Sequence, residues 1–232
     1  MFGNFHPLAL LQGPHGIELW AGLRLTLFAT LAAWLIAYGV GILLAAIRSL
    51  PSKTADRGVA AYVAYHRNVP LLVQVLYWYF GVVTLLPNSI QQWTNDHGGG
   101  FYAGVVALGL CMAAYVSEDL RSGMRTVPHG HIEASRAIGL TFAQTMAYVV
   151  LPQALRAALP ALVNNSLLLF KNTSLLMAIG VAELTYAARQ IEGQTFKTFE
   201  VFTIATVIYL SISLVIMATG HLLEQRYRTQ RR

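Results

Sequence analysis

Apolar residues run through this chain in long blocks broken by short polar intervals. Five blocks are long enough to read as membrane-crossing helices: Leu25 to Ile47, Val69 to Leu86, Phe101 to Val116, Ala157 to Ala182 and Val201 to Leu223. The first carries no charge over about 23 residues, and at about 1.5 Å per residue it covers the roughly 30 Å of hydrocarbon in a bilayer. Within it Ala37, Gly41 and Ala45 recur at four-residue spacing. That stripe either lets another helix approach closely or reflects how common small residues are in spanning helices. The interval from Arg48 to Arg67 is polar, but Val59 to Tyr65 is apolar enough for an interfacial elbow helix. Pro87 to Gly100 reads as a turn-rich loop and Glu183 to Glu200 as another. The pattern predicts an all-α integral membrane protein of five transmembrane helices. Residues 1–18 form an irregular periplasmic or interfacial lead-in, 19–224 the transmembrane domain, and 225–232 a basic tail. The first residues lack a basic start and contain Pro and Gly, so no cleavable signal is expected and the first span serves as the membrane signal. Phe2, Phe5 and Trp20 are expected at the headgroups.

One stretch breaks the apolar pattern. Residues 125–160 carry Arg125, His129, His131, Glu133, Arg136, Gln144, Gln153 and Arg156, spaced as on surface helices. Pro128 and Gly130 predict a turn, followed by a short helix from about His131 to Ile138. Gly139 can end that helix in the left-handed conformation that other residues resist. Thr141-x-x-Gln144 then reads as a capping box that restarts a helix. Two short water-facing helices with a sharp bend between them are a place for a soluble partner to dock.

Composition agrees with a bilayer environment. The 232 residues are 56% hydrophobic and 11% charged, against roughly 25% charged in a soluble domain. The net charge of +6 follows topology and gives no sign of nucleic-acid binding. Alternate connections hold Arg48, Lys53, Arg57 and Arg67, then Arg121, Arg125, Arg136 and Arg156, then Arg226, Arg228, Arg231 and Arg232. The opposite connections hold Arg24, Arg189 and Lys197. Positive charge collects in the cytoplasm, so the N-terminus is expected outside, and the C-terminus and the bent loop inside.

Candidate chemistry is sparse. Nucleophile-elbow, metalloprotease and phosphate-cradling patterns are missing from the sequence. The single cysteine, Cys111, lies in an apolar run, and His129-x-His131 does not put both rings on one helix face, so no metal site is expected. The fourth span places Asn164, Asn165, Lys171, Asn172 and Thr173 at membrane depth. A Lys there costs about 2.5–3.5 kcal/mol on insertion scales and should face protein or water. These groups either line a substrate path or satisfy a bent backbone and a neighbouring chain. Glu118 and Arg121, three apart on one helix face, are candidates for a gate or for a plain surface pair.

The bent stretch also resembles a known motif. Glu133, Ala134, Ser135, Gly139, Val149, Leu151 and Pro152 fall at the spacing of the EAA loop of ABC-importer permeases, the MetI-like superfamily. Ser135 stands for a second Ala and Val149 for Ile. The phrases RNVPLLVQ (67–74), SEDLRSGMRTVPHG (117–130), LPQALRAALPALVN (151–164) and KNTSL (171–175) resemble the polar amino-acid branch, and the likeness runs from about Gly16 to Arg228. Within that branch RNVPLLVQVLYWYFGVVTLLP is most similar to glutamate/aspartate permeases.

The resemblance implies a multi-pass permease of the bacterial inner membrane working by alternating access. Its implied partners are two cytoplasmic ATPases, a second identical or homologous permease subunit and a periplasmic amino-acid-binding protein. Glu133, Ala134, Ser135, Gly139, Leu151 and Pro152 would couple to the ATPase. ATP and Mg would bind that partner, with no cofactor on this chain. Glutamine, arginine or histidine is the alternative substrate. An ion-coupled carrier working through Lys171 and Glu118, or a membrane enzyme using Glu118, Asp119 and nearby histidines, is a more distant rival.

Overall fold

The computed structural model describes residues 10–50 and 52–227, and all regular structure among them is helical. The order is α1 (Gly13–Arg48), α2 (Lys53–Asn68), α3 (Leu71–Phe80) with a 3-10 turn (Val82–Leu85), α4 (Asn88–Asp96) and α5 (Gly99–Arg125). Next come α6 (His129–Ala137) and α7 (Phe142–Thr145), which passes through a π-turn (Met146–Val150) into α8 (Leu151–Asn172). A 3-10 stretch (Thr173–Ile179), α9 (Leu184–Thr195) and α10 (Thr198–Tyr227) complete the chain.

Among the described residues four runs are long and apolar enough to cross a membrane: Gly13–Arg48, Gly99–Arg125, Phe142–Ile179 and Thr198–Arg226. A fifth arises only if Lys53–Asn68 and Leu71–Leu85, bent by 103°, are taken as one broken span. The block expected as the second span is therefore mostly a 10-residue helix, which rises about 15 Å, half the hydrocarbon thickness. It stops at Gly81, where a Cβ would lie 2.7 Å from the Tyr77 carbonyl oxygen.

At the other end α1 starts at Gly13, where an irregular lead-in was expected. Pro14 suits a first helical turn, where its missing N–H is no loss. Leu19 and Leu23 bury that first part of α1 with Leu184 and Ile191 of α9 and Val201 of α10. Trp20 of this part is 61% exposed, while Phe2 and Phe5, and the tail residues Arg228, Arg231 and Arg232, lie outside the described residues.

Helix α5 is the centre of the bundle. Of its apolar window 67% is buried, against 22% in each of the other three long runs. Helix α1 lies on it through a continuous row of small residues: Ala29, Ala33, Ala37, Gly41 and Ala45 are all buried. A Cβ on Gly41 would sit 2.7 Å from Val116 Cγ1, and one on Gly109 of α5 would sit 2.7 Å from Ile36 Cβ. Each glycine receives a branched side chain of the other helix, with a carbonyl oxygen of that helix 3.1 Å from the same Cβ position, the close packing that holds helices together where lipid removes the hydrophobic drive. Polar groups add a second seam. Tyr38 Oη donates to the Leu162 carbonyl at 2.7 Å, and Trp34 Nε1 donates to Ser166 Oγ at 3.0 Å, joining α1 to α8. Asn165 of α8 donates to Asp119 of α5.

The elbow between α2 and α3 has its own fastening. Gln74 is 1% exposed, and its Nε2 donates to the carbonyls of His66 (3.0 Å) and Val69 (2.8 Å), while its Oε1 meets His66 Nδ1 at 2.6 Å. These bonds satisfy backbone groups freed where Pro70 interrupts the helix.

A test follows from the small-residue row. Gly41→Val forces a branched side chain into Val116 and should cost about 1–3 kcal/mol by overpacking. Gly39 has nothing within 4 Å of an added Cβ, so Gly39→Val is the control. Thermal unfolding in detergent should show a lowered midpoint for Gly41→Val and a near-unchanged one for Gly39→Val.

Candidate functional site

Residues 125–156 form a compact, bent double helix. Gly139 takes φ +87° directly after α6, and Thr141 and Gln144 make the reciprocal capping box that their spacing predicts. Ser135 is turned inward and nine-tenths or more buried; its Oγ lies 3.0 Å from Thr145 Oγ1, joining α6 to α7. His131 Nδ1 meets Gln153 Oε1 at 2.9 Å, joining α6 to α8. Glu133 and Ala134 face outward, as do Leu151 and Pro152 in the first turn of α8. Around the bend Ile138 (78% exposed), Phe142 (52%) and Tyr148 (73%) project apolar surface, the mark of a contact surface. The π-turn between α7 and α8 is a local feature common at functional sites.

This loop is tied to the bundle at Gly123. At Gly123 of α5 a Cβ would come within 2.3 Å of the Ala154 carbonyl oxygen. The last turns of α5 and the first turns of α8 therefore touch backbone to backbone.

The polar residues of the fourth span are divided by the fold. Asn165 and Thr173 are buried; Asn165 holds Asp119, and Thr173 Oγ1 donates to its own helix at Phe170 O (2.7 Å). Asn172 is half-buried, while Asn164 and Lys171 are exposed. Those two are seven apart, on one face and about 10 Å along the axis. The Lys171 ammonium has no hydrogen-bond or ion-pair partner among the described residues, so it is open to water, a ligand or another chain.

Glu118 and Arg121 belong to a wider cluster. Their mutual approach is 3.7 Å, whereas Glu118 Oε1 is bound by Arg48 Nη1 at the end of α1. Arg48 Nε also donates to Asp56 Oδ1 of α2 at 2.9 Å, and the Arg48 side chain is only 6% exposed. Arg121 Nη2 lies 3.9 Å from the same Asp56 oxygen. Arg48 was legible only as one of several positive charges, because its partners lie on α2 and α5.

Glu183 was also missed. It is fully buried just beyond the Phe142–Ile179 run, and it caps α9. Its carboxylate accepts from Thr185 N (2.9 Å), Tyr186 N (2.8 Å) and Tyr209 Oη (2.9 Å). Thr26 of α1 reaches it at 3.5 Å and accepts from Leu184 N at 3.0 Å. Burial pushes this carboxyl above the usual range, and hydrogen bonds from Thr185, Tyr186 and Tyr209 oppose the shift. The signal available in sequence was an acidic residue directly before an amphipathic helical run. No group of His, Cys, Asp and Glu able to hold a metal occurs among the described residues.

A helical bundle with four or five runs of spanning length and one bent hydrophilic insert defines a multi-pass membrane protein. Residues 37–229 match the family described as the inner membrane component of binding-protein-dependent transport systems, and the chain belongs to that family. Importers of this kind work with an ATPase on a separate subunit and with a binding protein.

The glutamate/aspartate import permease protein GltJ of Escherichia coli K12 is 32% identical over 214 residues, covering 90% of this chain and 87% of the relative. The probable glutamine ABC transporter permease protein GlnM of Bacillus subtilis is 33% identical, covering 87% and 89%. The histidine/lysine/arginine/ornithine transport system permease protein HisM of Salmonella typhimurium is 33% identical, covering 89% and 88%. Among solved structures, a chain of an amino acid ABC transporter crystallised with histidines superposes with TM-score 0.83 at 32% identity, over 97% of this chain and all of that one. The MetNI methionine ABC transporter, at 22% identity and TM-score 0.68, shares the fold.

Ser135 supplies a test of the loop. Ser135→Ala removes the hydroxyl bridge to Thr145 and should destabilise the bend by about 1 kcal/mol. Limited proteolysis between residues 137 and 142 should quicken by a few-fold, while Glu133→Gln, which is exposed, should leave it unchanged.

Proposed function

We propose that this chain is the transmembrane permease subunit of an ATP-driven importer of glutamate and aspartate in a bacterial inner membrane. The observation that carries the substrate is the 32% identity over 90% of the chain to a glutamate/aspartate import permease. A second reading, another polar amino acid, is favoured by equally extensive identity to relatives named for glutamine and for histidine, lysine, arginine and ornithine.

In this reading residues 19–224 form the transmembrane domain and residues 125–156 face the cytoplasm. The charge bias supports that orientation. Glu133, Ala134, Ser135, Gly139, Leu151 and Pro152 make the coupling loop. Its exposed Ile138, Phe142 and Tyr148 suit a cleft in a cytoplasmic ATPase. ATP and Mg2+ belong to a pair of such ATPases, and a second permease subunit, identical or homologous, completes the membrane part. A periplasmic binding protein delivers the amino acid.

Nucleotide-driven closure of the ATPases moves the loop, and the welded contacts at Ser135–Thr145 and Gly123–Ala154 pass that movement to α8 and α5. The bundle then alternates between outward and inward access. Lys171 and Asn164, exposed on one face of α8, are the side chains of the path. The lysine's charge suits a carboxylate, and every α-amino acid carries one. Asn165, Asn172 and Thr173 shape the helix that presents them.

Uptake into proteoliposomes holding the whole complex tests this. Radiolabelled glutamate and aspartate should enter in a vanadate-sensitive manner and be outcompeted weakly by glutamine, arginine or histidine. Lys171→Gln should lower uptake about ten-fold, the loss of one hydrogen bond to a charged group. Uptake driven by an ion gradient and indifferent to vanadate would mark an ion-coupled carrier. Preference for glutamine or a basic amino acid would move the chain to the second reading.

A further inference from the structure

The Arg48 cluster sits where three elements meet, and each arm of the guanidinium goes to a different one. Nη1 binds Glu118 of α5, and Nε binds Asp56 in the first turn of α2 at 2.9 Å. The planar fork of Arg reaches two carboxylates at once, which a Lys ammonium at the same place does less well. The Arg48 side chain is 6% exposed and Glu118 25%, so salt screens that arm less than a surface pair, whereas Asp56 is 45% exposed.

The rest of α2 is fastened to the same helix. Tyr62 Oη donates to the Leu110 carbonyl at 2.6 Å, and the Arg67 guanidinium stands 5.4 Å from the centroid of the Tyr115 ring. The Gln74 bonds then fix α2 to α3 across the 103° bend. On the far side of α5, only a turn beyond Glu118, Gly123 abuts Ala154 of α8. A continuous run of short contacts therefore leads from α6 through α8 and α5 to the elbow.

We propose that Arg48 is a positioning residue for transport: it clamps α2 to the inner end of α5, so that displacement of the bent loop is carried to the elbow and α3. This rests on the reading of residues 125–156 as the loop that follows the ATPase. In this proposal Glu118 is one jaw of the clamp, and Arg121, 3.9 Å from Asp56, steadies the other.

Hydrogen–deuterium exchange on the complex, reconstituted with its ATPase subunit and binding protein, tests the clamp. Nucleotide-free and vanadate-trapped states are compared peptide by peptide, beside uptake of whichever amino acid the unaltered complex takes up fastest. In the unaltered complex the peptides covering 129–137 and 53–68 should both change protection on trapping. In Arg48→Ala the change at 129–137 should persist, the change at 53–68 should shrink, most in the first turn beside Asp56, and uptake should fall about ten-fold. Arg48→Lys should rescue part of both. A change at 53–68 of full size in Arg48→Ala, or uptake within about two-fold of the unaltered complex, overturns the clamp. Should Arg48→Ala fail to assemble, Asp56→Ala removes only the partly exposed arm, and a full-size change at 53–68 in that variant overturns the proposal equally. No change at 129–137 in the unaltered complex sinks the coupling-loop reading itself, a different failure.

Discussion

The close approach of α1 to α5 is the constraint on which the other contacts depend. In water two helices are pressed together by the apolar surface they hide, but in lipid that surface is already among hydrocarbon. What remains is the fit of one backbone against another. The row from Ala29 to Ala45, buried throughout, lets α5 come near enough that Gly41 and Gly109 have no space for a Cβ. With α1 and α5 fixed, the ring of Trp34 can reach Ser166, and Tyr38 can reach the Leu162 carbonyl. The same registration brings Arg48 beside Glu118 at one end and Gly22 within touch of Ala187 and Glu183 at the other. The polar contacts at the two ends are consequences of a seam made of the smallest side chains.

Polar groups in this bundle do two kinds of work, and burial separates them. Asn165, Gln74 and Glu183 are buried and hydrogen-bonded to other elements or to a helix end. They fix a helix pair, an elbow and a helix start, and leaving any of their partners unmatched would cost free energy in a low-dielectric interior. Asn164 and Lys171 are exposed on one face of α8. An exposed ammonium on a run of spanning length is hard to maintain against lipid, which points to a polar path or a second chain along that face. A transport route needs this division, with a rigid polar frame beside a few groups free to meet a passenger.

What could be seen in the sequence was local. The bend at Gly139 and the Thr141–Gln144 box depend on residues a turn apart, so spacing was enough to find them. The small row in α1 was visible in part, at Ala37, Gly41 and Ala45, although its purpose was open until α5 appeared against it. Long-range partners were invisible: nothing near Arg48 names Glu118, and nothing near Glu183 names Thr26 or Tyr209. Hydropathy alone did not show where the helices start or change type: α3 passes into a 3-10 turn after Gly81, and packing of Leu19 and Leu23 keeps the chain helical from Gly13, ahead of the apolar block that begins at Leu25.

Coupling to a cytoplasmic ATPase requires the bent loop to lie on the inner side of the membrane. Ile138, at 78% exposure, can be changed to Cys and challenged with a membrane-impermeant maleimide in right-side-out and inside-out vesicles; the native Cys111 is buried and gives a quiet background. Labelling confined to inside-out vesicles, and blocked when the ATPase subunit is bound, is the predicted result. Prompt labelling in sealed right-side-out vesicles would put the loop outside, beyond the reach of any cytoplasmic ATPase, and would contradict the account.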